Sequence, residues 1–129
     1  MKVSLKIYLS GPMTGLPDLN YPAFAAAAAA LRSLGHEVYN PQEWEDSNNF
    51  GKFNHILAFD DYCRYIVREA DVVIMLPGWK NSPGATAESS VARAVRKPSR
   101  EFEEFIGIKP EDLFAYISFD ATKGLDQMV

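Results

Sequence analysis

Residues 71–95 read Asp-Val-Val-Ile-Met-Leu-Pro-Gly-Trp-Lys-Asn-Ser-Pro-Gly-Ala-Thr-Ala-Glu-Ser-Ser-Val-Ala-Arg-Ala-Val. Val72 to Leu76 is an unbroken apolar run, too short for a lone helix and closed by Pro77 and Gly78. It predicts a strand buried on both faces, as at the centre of a parallel sheet. Ser82 followed by Pro83 has the composition of a helix N-cap and first helical position. The chain is therefore predicted to pass from strand to helix across this loop.

On that helix Gly84, Val91, Ala92 and Val95 share the face that packs on the sheet, and Glu88 lies on the same face. Spacing leaves two readings of Glu88: a solvated charge at the rim, or a carboxylate aimed into the crevice at the carboxyl ends of the strands, where open α/β sheets bind ligands. The small residues Gly84, Ala85 and Ala87 allow a ligand to approach the helix closely.

The 129 residues suit one domain, and 47% hydrophobic residues supply a core. A net charge of −4 with no Lys/Arg run argues against long nucleic acid as a partner. One cysteine excludes an internal disulfide and a Cys-based zinc site, and the separated His36 and His55 make no metal signature, so neither metal nor cofactor is expected. No cleavable signal or run of eighteen apolar residues is present. The expectation is a cytoplasmic protein without membrane contact.

Lys2 to Leu9 predicts a first strand ending in the loop Ser10-Gly-Pro-Met-Thr-Gly15. Gly11 to Gly15 matches neither the Rossmann nor the P-loop spacing, so a phosphate cradle and an ordinary connection both remain open. From Pro22 a helix is predicted with Phe24, Ala27, Ala28, Leu31 and Leu34 on one face and Gly35 as its stop. His36 to Tyr39 predicts a second parallel strand. Gln42 to Lys52 reads as a polar, mobile excursion. A helix over about Phe53–Glu69 is expected to turn Ile56, Phe59, Cys63, Ile66, Val67 and Ala70 inward, with Asp60 at the edge of that face and Asp61 outward. Asp60 is then a solvated charge or a site acid. Beyond Val95, Arg100 to Phe105 predicts an edge strand, Lys109 to Asp112 opens a short helix, and Leu113 to Phe119 is compatible with helix or strand.

Four stretches together carry a family resemblance: Ile-Tyr-Leu-Ser-Gly-Pro-Met-Thr-Gly-Leu-Pro at 7–17, Asn-Tyr-Pro-Ala-Phe at 20–24, Leu-Gly-His-Glu-Val-Tyr-Asn-Pro at 34–41, and Ala-Asp-Val-Val-Ile-Met-Leu-Pro-Gly-Trp at 70–79 continuing to Ser82 and Glu88. Over residues 3 to about 97 the chain resembles the DUF4406 family, which is similar to the nucleoside 2-deoxyribosyltransferases and the 2'-deoxynucleoside 5'-phosphate N-hydrolases. Phage and bacterial genomes carry many such proteins, so the expected location is cytoplasmic, and a host cytoplasm if the chain is phage-encoded.

The resemblance implies a single-domain, three-layer α/β sandwich with a mostly parallel, Rossmann-like sheet, followed by an extension over 98–129. It implies that Glu88 attacks C1' of the sugar as the base leaves through an oxocarbenium-like transition state. Ser82 matches the serine that touches the 5'-phosphate in the N-hydrolases, a placement suited to a helix N-terminus. By the same likeness Gly11, Pro12, Met13, Thr14 and Gly15 wrap the sugar and phosphate, and Tyr8 lines the pocket. Trp79 either stacks on a base or anchors its loop. The implied partners are a small nucleotide or nucleoside and a second copy of the chain, as a homodimer or higher oligomer.

One position departs from the pattern: the N-hydrolases carry an aspartate eight residues before the one matching Asp71, where this chain has Cys63. Asp60, one turn earlier, is the substitute proton donor on this reading. The expected function is cleavage of the N-glycosidic bond of a 2'-deoxynucleoside 5'-monophosphate, by hydrolysis or base exchange. The alternative is a non-catalytic module that binds a nucleotide or nucleotide-derived signal, and a structural subunit is a third.

Overall fold

A computed structural model of the chain describes residues 3–48 and 54–118. Four strands, β1 (Lys6–Ser10), β2 (Glu37–Tyr39), β3 (Val72–Met75) and β4 (Ser99–Glu101), form one sheet in the order β2-β1-β3-β4. Every pairing is parallel, with Tyr8 opposite both Tyr39 and Val73 and Ser10 opposite Met75. The first crossover carries the chain from β1 to β2 on one side, and later ones carry it from β3 to β4 on the other. The order reverses between β1 and β3, which opens a crevice at their carboxyl ends.

Period-two alternation divides the core into two layers. Ile7, Leu9, Val38, Val72, Ile74 and Leu76 pack against Phe24, Ala27, Ala28 and Leu31 of α1 (Tyr21–Ser33). Tyr8, Val73 and Met75 face the opposite way, against α3 (His55–Arg68) and α4 (Pro83–Ala94). Alanines on α1 let that helix lie close to the sheet. Gly35, at φ +96°, ends it in the left-handed conformation that glycine adopts without strain, while Leu34 is exposed rather than part of the buried face.

The polar stretch expected as a mobile excursion contains a helix, α2 (Pro41–Asn48), and its remainder to Lys52 lies outside the described residues. Asn40 starts it by accepting a hydrogen bond from the Gln42 amide at 3.0 Å, ahead of Pro41. The α3 face is also turned relative to expectation. Ala58, Tyr62 and Ile66 are buried, whereas Ile56, Phe59 and Val67 are exposed. Counting aliphatic residues misplaced that face, because the rings of Tyr62 and Tyr65 pack over Tyr8 and take the inward positions. Lys2 and Phe53, proposed as element starts, lie outside the described residues.

On α4 the buried set is Ala85, Glu88, Ser89 and Ala92, with Gly84 exposed and Val91 and Val95 half-buried. Past it, Lys97 Nζ donates to the carbonyls of Ile66 and Val67 at 2.8 Å, holding the C-terminal end of α3 where cations favour the helix dipole. The expected edge strand is limited to β4; the chain then turns into α5 (Phe102–Phe105), a 3-10 turn (Pro110–Asp112) and α6 (Leu113–Tyr116). Phe105 and Leu113 fill the α1 side of the core, so the C-terminal segment packs as part of the same layer. Phe119 lies outside the described residues.

Candidate active site

β1 ends at the crevice, and its pleat aims Tyr8 and Ser10 at the same face. Both hydroxyls donate to one carboxylate: Tyr8 Oη to Glu88 Oε2 at 2.5 Å and Ser10 Oγ to Glu88 Oε1 at 2.6 Å. Glu88, 6% exposed, is the buried carboxylate of α4 and takes the crevice reading over the solvated rim. Burial raises its pKa to about 7 against the two hydrogen bonds, and the charge of Glu45 adds to the rise. The carboxyl is thus poised between acid and carboxylate at neutral pH. Tyr8, fully buried beside that charge, is held well above its usual range and stays a neutral donor.

Around this pair lies a cluster of rings. Tyr8 contacts Tyr39, Tyr62 and Tyr65 at centroid distances of 5.5, 6.0 and 6.4 Å, and Trp44 meets Tyr62 at 5.8 Å. Two further carboxylates accept from these tyrosines. Glu45, also 6% exposed, accepts from Tyr62 Oη at 2.7 Å and Tyr21 Oη at 2.6 Å, and Asp61 accepts from Tyr39 Oη. Burial and these partners push the Tyr39 and Tyr62 phenols up.

The loops above the crevice fit tightly together. A Cβ on Gly11 would stand 2.8 Å from that of Leu76, whose amide donates to the Ser10 carbonyl at 2.8 Å. Only glycine fits there without displacement. Pro12 lies across from Gly78, one residue before Trp79. Trp79 is half-buried against the α3–α4 side of the core, with Nε1 3.4 Å from Glu101 and the Lys80 ammonium 5.8 Å from its ring centroid, so it packs as a loop anchor. Ser82 caps α4, accepting from the Ala85 amide at 3.2 Å. Gly84 stands in the exposed first turn.

The remaining expected residues fall elsewhere. Met13 packs against the core on the α1 side of the sheet, and Thr14 and Gly15 are exposed in the turn that follows. Asp60 is exposed and paired with Arg64 one turn along α3, while Asp61, expected outward, turns to Tyr39. Cys63 is half-buried; burial first, then the charges of Glu88 and Asp60, push its thiol up to about 11. Asp71 accepts from the Lys6 amide at 2.8 Å and so joins the starts of β1 and β3.

Sequence reading missed Ser10, Tyr39, Glu45, Asp61 and Tyr62. Ser10 was available from the alternation that places it with Tyr8. The helix that carries Glu45 was available from Asn40-Pro41, the same cap-and-proline signal read at Ser82-Pro83, but the burial of Glu45 itself was not.

Among the described residues no helix is long and apolar enough to cross a membrane, and no group of three or more His, Cys, Asp or Glu side chains is arranged to hold a metal ion.

Fold and site together define a parallel α/β domain with a buried glutamate at its switch point. The chain belongs to the DUF4406 family, a domain of unknown function whose model matches residues 5–99. No curated protein matches it significantly. Among solved structures it is similar to a 2-deoxyribosyltransferase from the psychrotolerant bacterium Bacillus psychrosaccharolyticus, with a TM-score of 0.65 and 19% identity over 89% of this chain and 97% of that one. The likeness shows a shared Rossmann-like fold.

Proposed function

We propose that the protein cleaves the N-glycosidic bond of a 2'-deoxynucleoside 5'-monophosphate, with Glu88 as nucleophile. The observation that carries this reading is the Glu88 carboxylate, buried yet gripped by Tyr8 and Ser10 at the crevice. Such a group costs stability and is retained where its chemistry is used. A carboxylate oxygen of Glu88 attacks C1', the C1'–N bond breaks with its electron pair leaving on the base, and a glycosyl ester remains. Water then releases the sugar phosphate, or a second base takes its place. Tyr8 and Ser10 orient the carboxylate and stabilise it as an anion.

Ser82 lies six residues before Glu88, about 9 Å along the helix axis, which leaves room for a sugar between the nucleophile and a phosphate at the α4 N-terminus. Its oxygen is engaged as the cap, and the hydroxyl retains its proton to donate. Gly11 and Pro12 line the adjoining loop. Asp60 faces solvent with Arg64 and Asp61 is engaged as an acceptor by Tyr39, so the departing base takes its proton from water. In the same reading the exposed row Ile56, Phe59 and Val67 on α3, flanked by Asp60 and Arg64, is the face offered to a second copy.

The outward position of Asp60 favours one competing reading, a module that binds a nucleotide without cleaving it. Incubation with each common deoxynucleoside monophosphate and its nucleoside, followed by chromatography for free base, separates the two. The proposal expects base from at least one monophosphate. Binding detected by thermal shift with no base from any substrate would overturn it in favour of the module.

A further inference from the structure

Glu45 is a second buried carboxylate that the proposed reaction leaves without a task. It stands on α2, at the carboxyl end of the sheet, and joins both layers: Tyr21 reaches it from α1 and Tyr62 from α3. The Tyr62 ring lies tilted against that of Tyr8, with centroids 6.0 Å apart, and Tyr8 donates to Glu88. The two carboxylates thus sit at the ends of one buried chain, Glu45, Tyr62, Tyr8, Glu88. We propose that Glu45 is a positioning residue of this site: held in place by two tyrosine hydroxyls, its side chain keeps a negative charge near Glu88 that adds to the effect of burial on that carboxyl.

The surroundings of Glu88 make this coupling effective. β1 presents the neutral hydroxyls of Tyr8 and Ser10, and β2 presents Tyr39, a phenol that itself feels the Glu88 charge. From α3 come Tyr62 and the protonated thiol of Cys63, with Asp61 behind Tyr39 and Asp60 paired to Arg64 at the surface. β4 presents Ser99 to Ser89, and Glu101 lies against Trp79 at the rim. The charge that adds to the proton affinity of Glu88 is that of Glu45. Like charges in a poorly hydrated site hinder each other's ionisation, and the effect is reciprocal. The inference rests on the proposed role of Glu88 only for its functional meaning, since the coupling itself is measurable without substrate.

The test is a carbon-13 NMR titration of the glutamate carboxyls in wild type, Glu45→Gln, Tyr62→Phe and Glu88→Gln. Gln keeps a carbonyl that accepts from Tyr62 but carries no charge. The expected result is a fall in the proton affinity of Glu88 in Glu45→Gln, by about threefold to tenfold for a like charge removed from this setting. Glu88→Gln assigns the Glu88 signal. Tyr62→Phe, which frees Glu45 from one of its two hydroxyls, is expected to lower the Glu88 midpoint by a smaller amount and reports the same coupling should Glu45→Gln fail to fold. Where base release is observed, the acid limb of kcat/KM in Glu45→Gln moves to lower pH by the same factor. Unchanged midpoints in a folded variant would overturn the proposal, and absence of base release would leave the titration to decide it.

Discussion

Tyr8 and Glu88, 80 residues apart in sequence, meet at 2.5 Å where β1 lies under α4, so a strand hydroxyl and a helix carboxylate share one proton-donating contact inside the core. The contact favours the carboxylate, whereas burial and Glu45 favour the acid. Removing the phenol therefore moves Glu88 toward the acid. In Tyr8→Phe the midpoint of Glu88 is expected to rise by about one unit, the size of a hydrogen bond to a charged group. Turnover at pH 7 falls, and is recovered in part at higher pH. A pH–rate profile measures this, and a profile unchanged from wild type would detach Tyr8 from the site.

Glu88 also sets a pH dependence of stability. Its pKa is raised from an ordinary 4.5 to about 7, so the folded chain binds more protons than the unfolded chain between those values. The carboxyl accordingly favours folding below its ordinary value, and that contribution is lost as pH rises through about 7. Glu88→Gln cannot ionise. It is expected to match wild type near pH 4 and to exceed it above pH 8 by about 3 kcal/mol. Urea unfolding at the two pH values reads the difference.

Much of this was legible beforehand. The apolar run at Val72, the cap at Ser82-Pro83 and the alanine-rich helix each put a local preference in agreement with the fold, and together they predicted a parallel sheet covered on both faces. Glu88 was visible as a carboxylate on a packing face. What periodicity could not give was the orientation of α3, because tyrosines act as core residues once their hydroxyls find buried acceptors, and those acceptors lie on other elements. Asp60 and Asp61 differ by one residue on a helix, about 100° of rotation, so the same turned face exchanged their roles. Glu45 was hidden because its partners come from two helices that meet only in the folded chain.

Ser82 carries a structural and a ligand role that separate on substitution. Ser82→Ala loses the acceptor for the Ala85 amide and is expected to cost about 1 kcal/mol of stability. Beyond that, it should raise KM for a monophosphate while leaving KM for the nucleoside unchanged. Equal changes for both substrates would assign Ser82 to the cap alone.

Gly11 and Gly84 are expected to respond oppositely to alanine. At Gly11 the new Cβ meets Leu76 at 2.8 Å, and the loss of stability is expected at about 1–3 kcal/mol. At Gly84 the nearest atom is Ser82 Oγ at 4.0 Å, and alanine favours the helix by up to about 1 kcal/mol. Thermal unfolding of the two variants checks both signs. A raised KM in the more stable Gly84→Ala protein would mark the first turn of α4 as a place of close ligand approach.

The measurement that tests the role of Glu88 most directly is base release from the preferred monophosphate by wild type and Glu88→Gln, with binding of the same nucleotide followed by thermal shift. Loss of the nucleophile is expected to lower kcat by a factor on the order of 10⁴, with the shift on binding retained. Release by the variant within tenfold of wild type would contradict Glu88 as the group that attacks C1'.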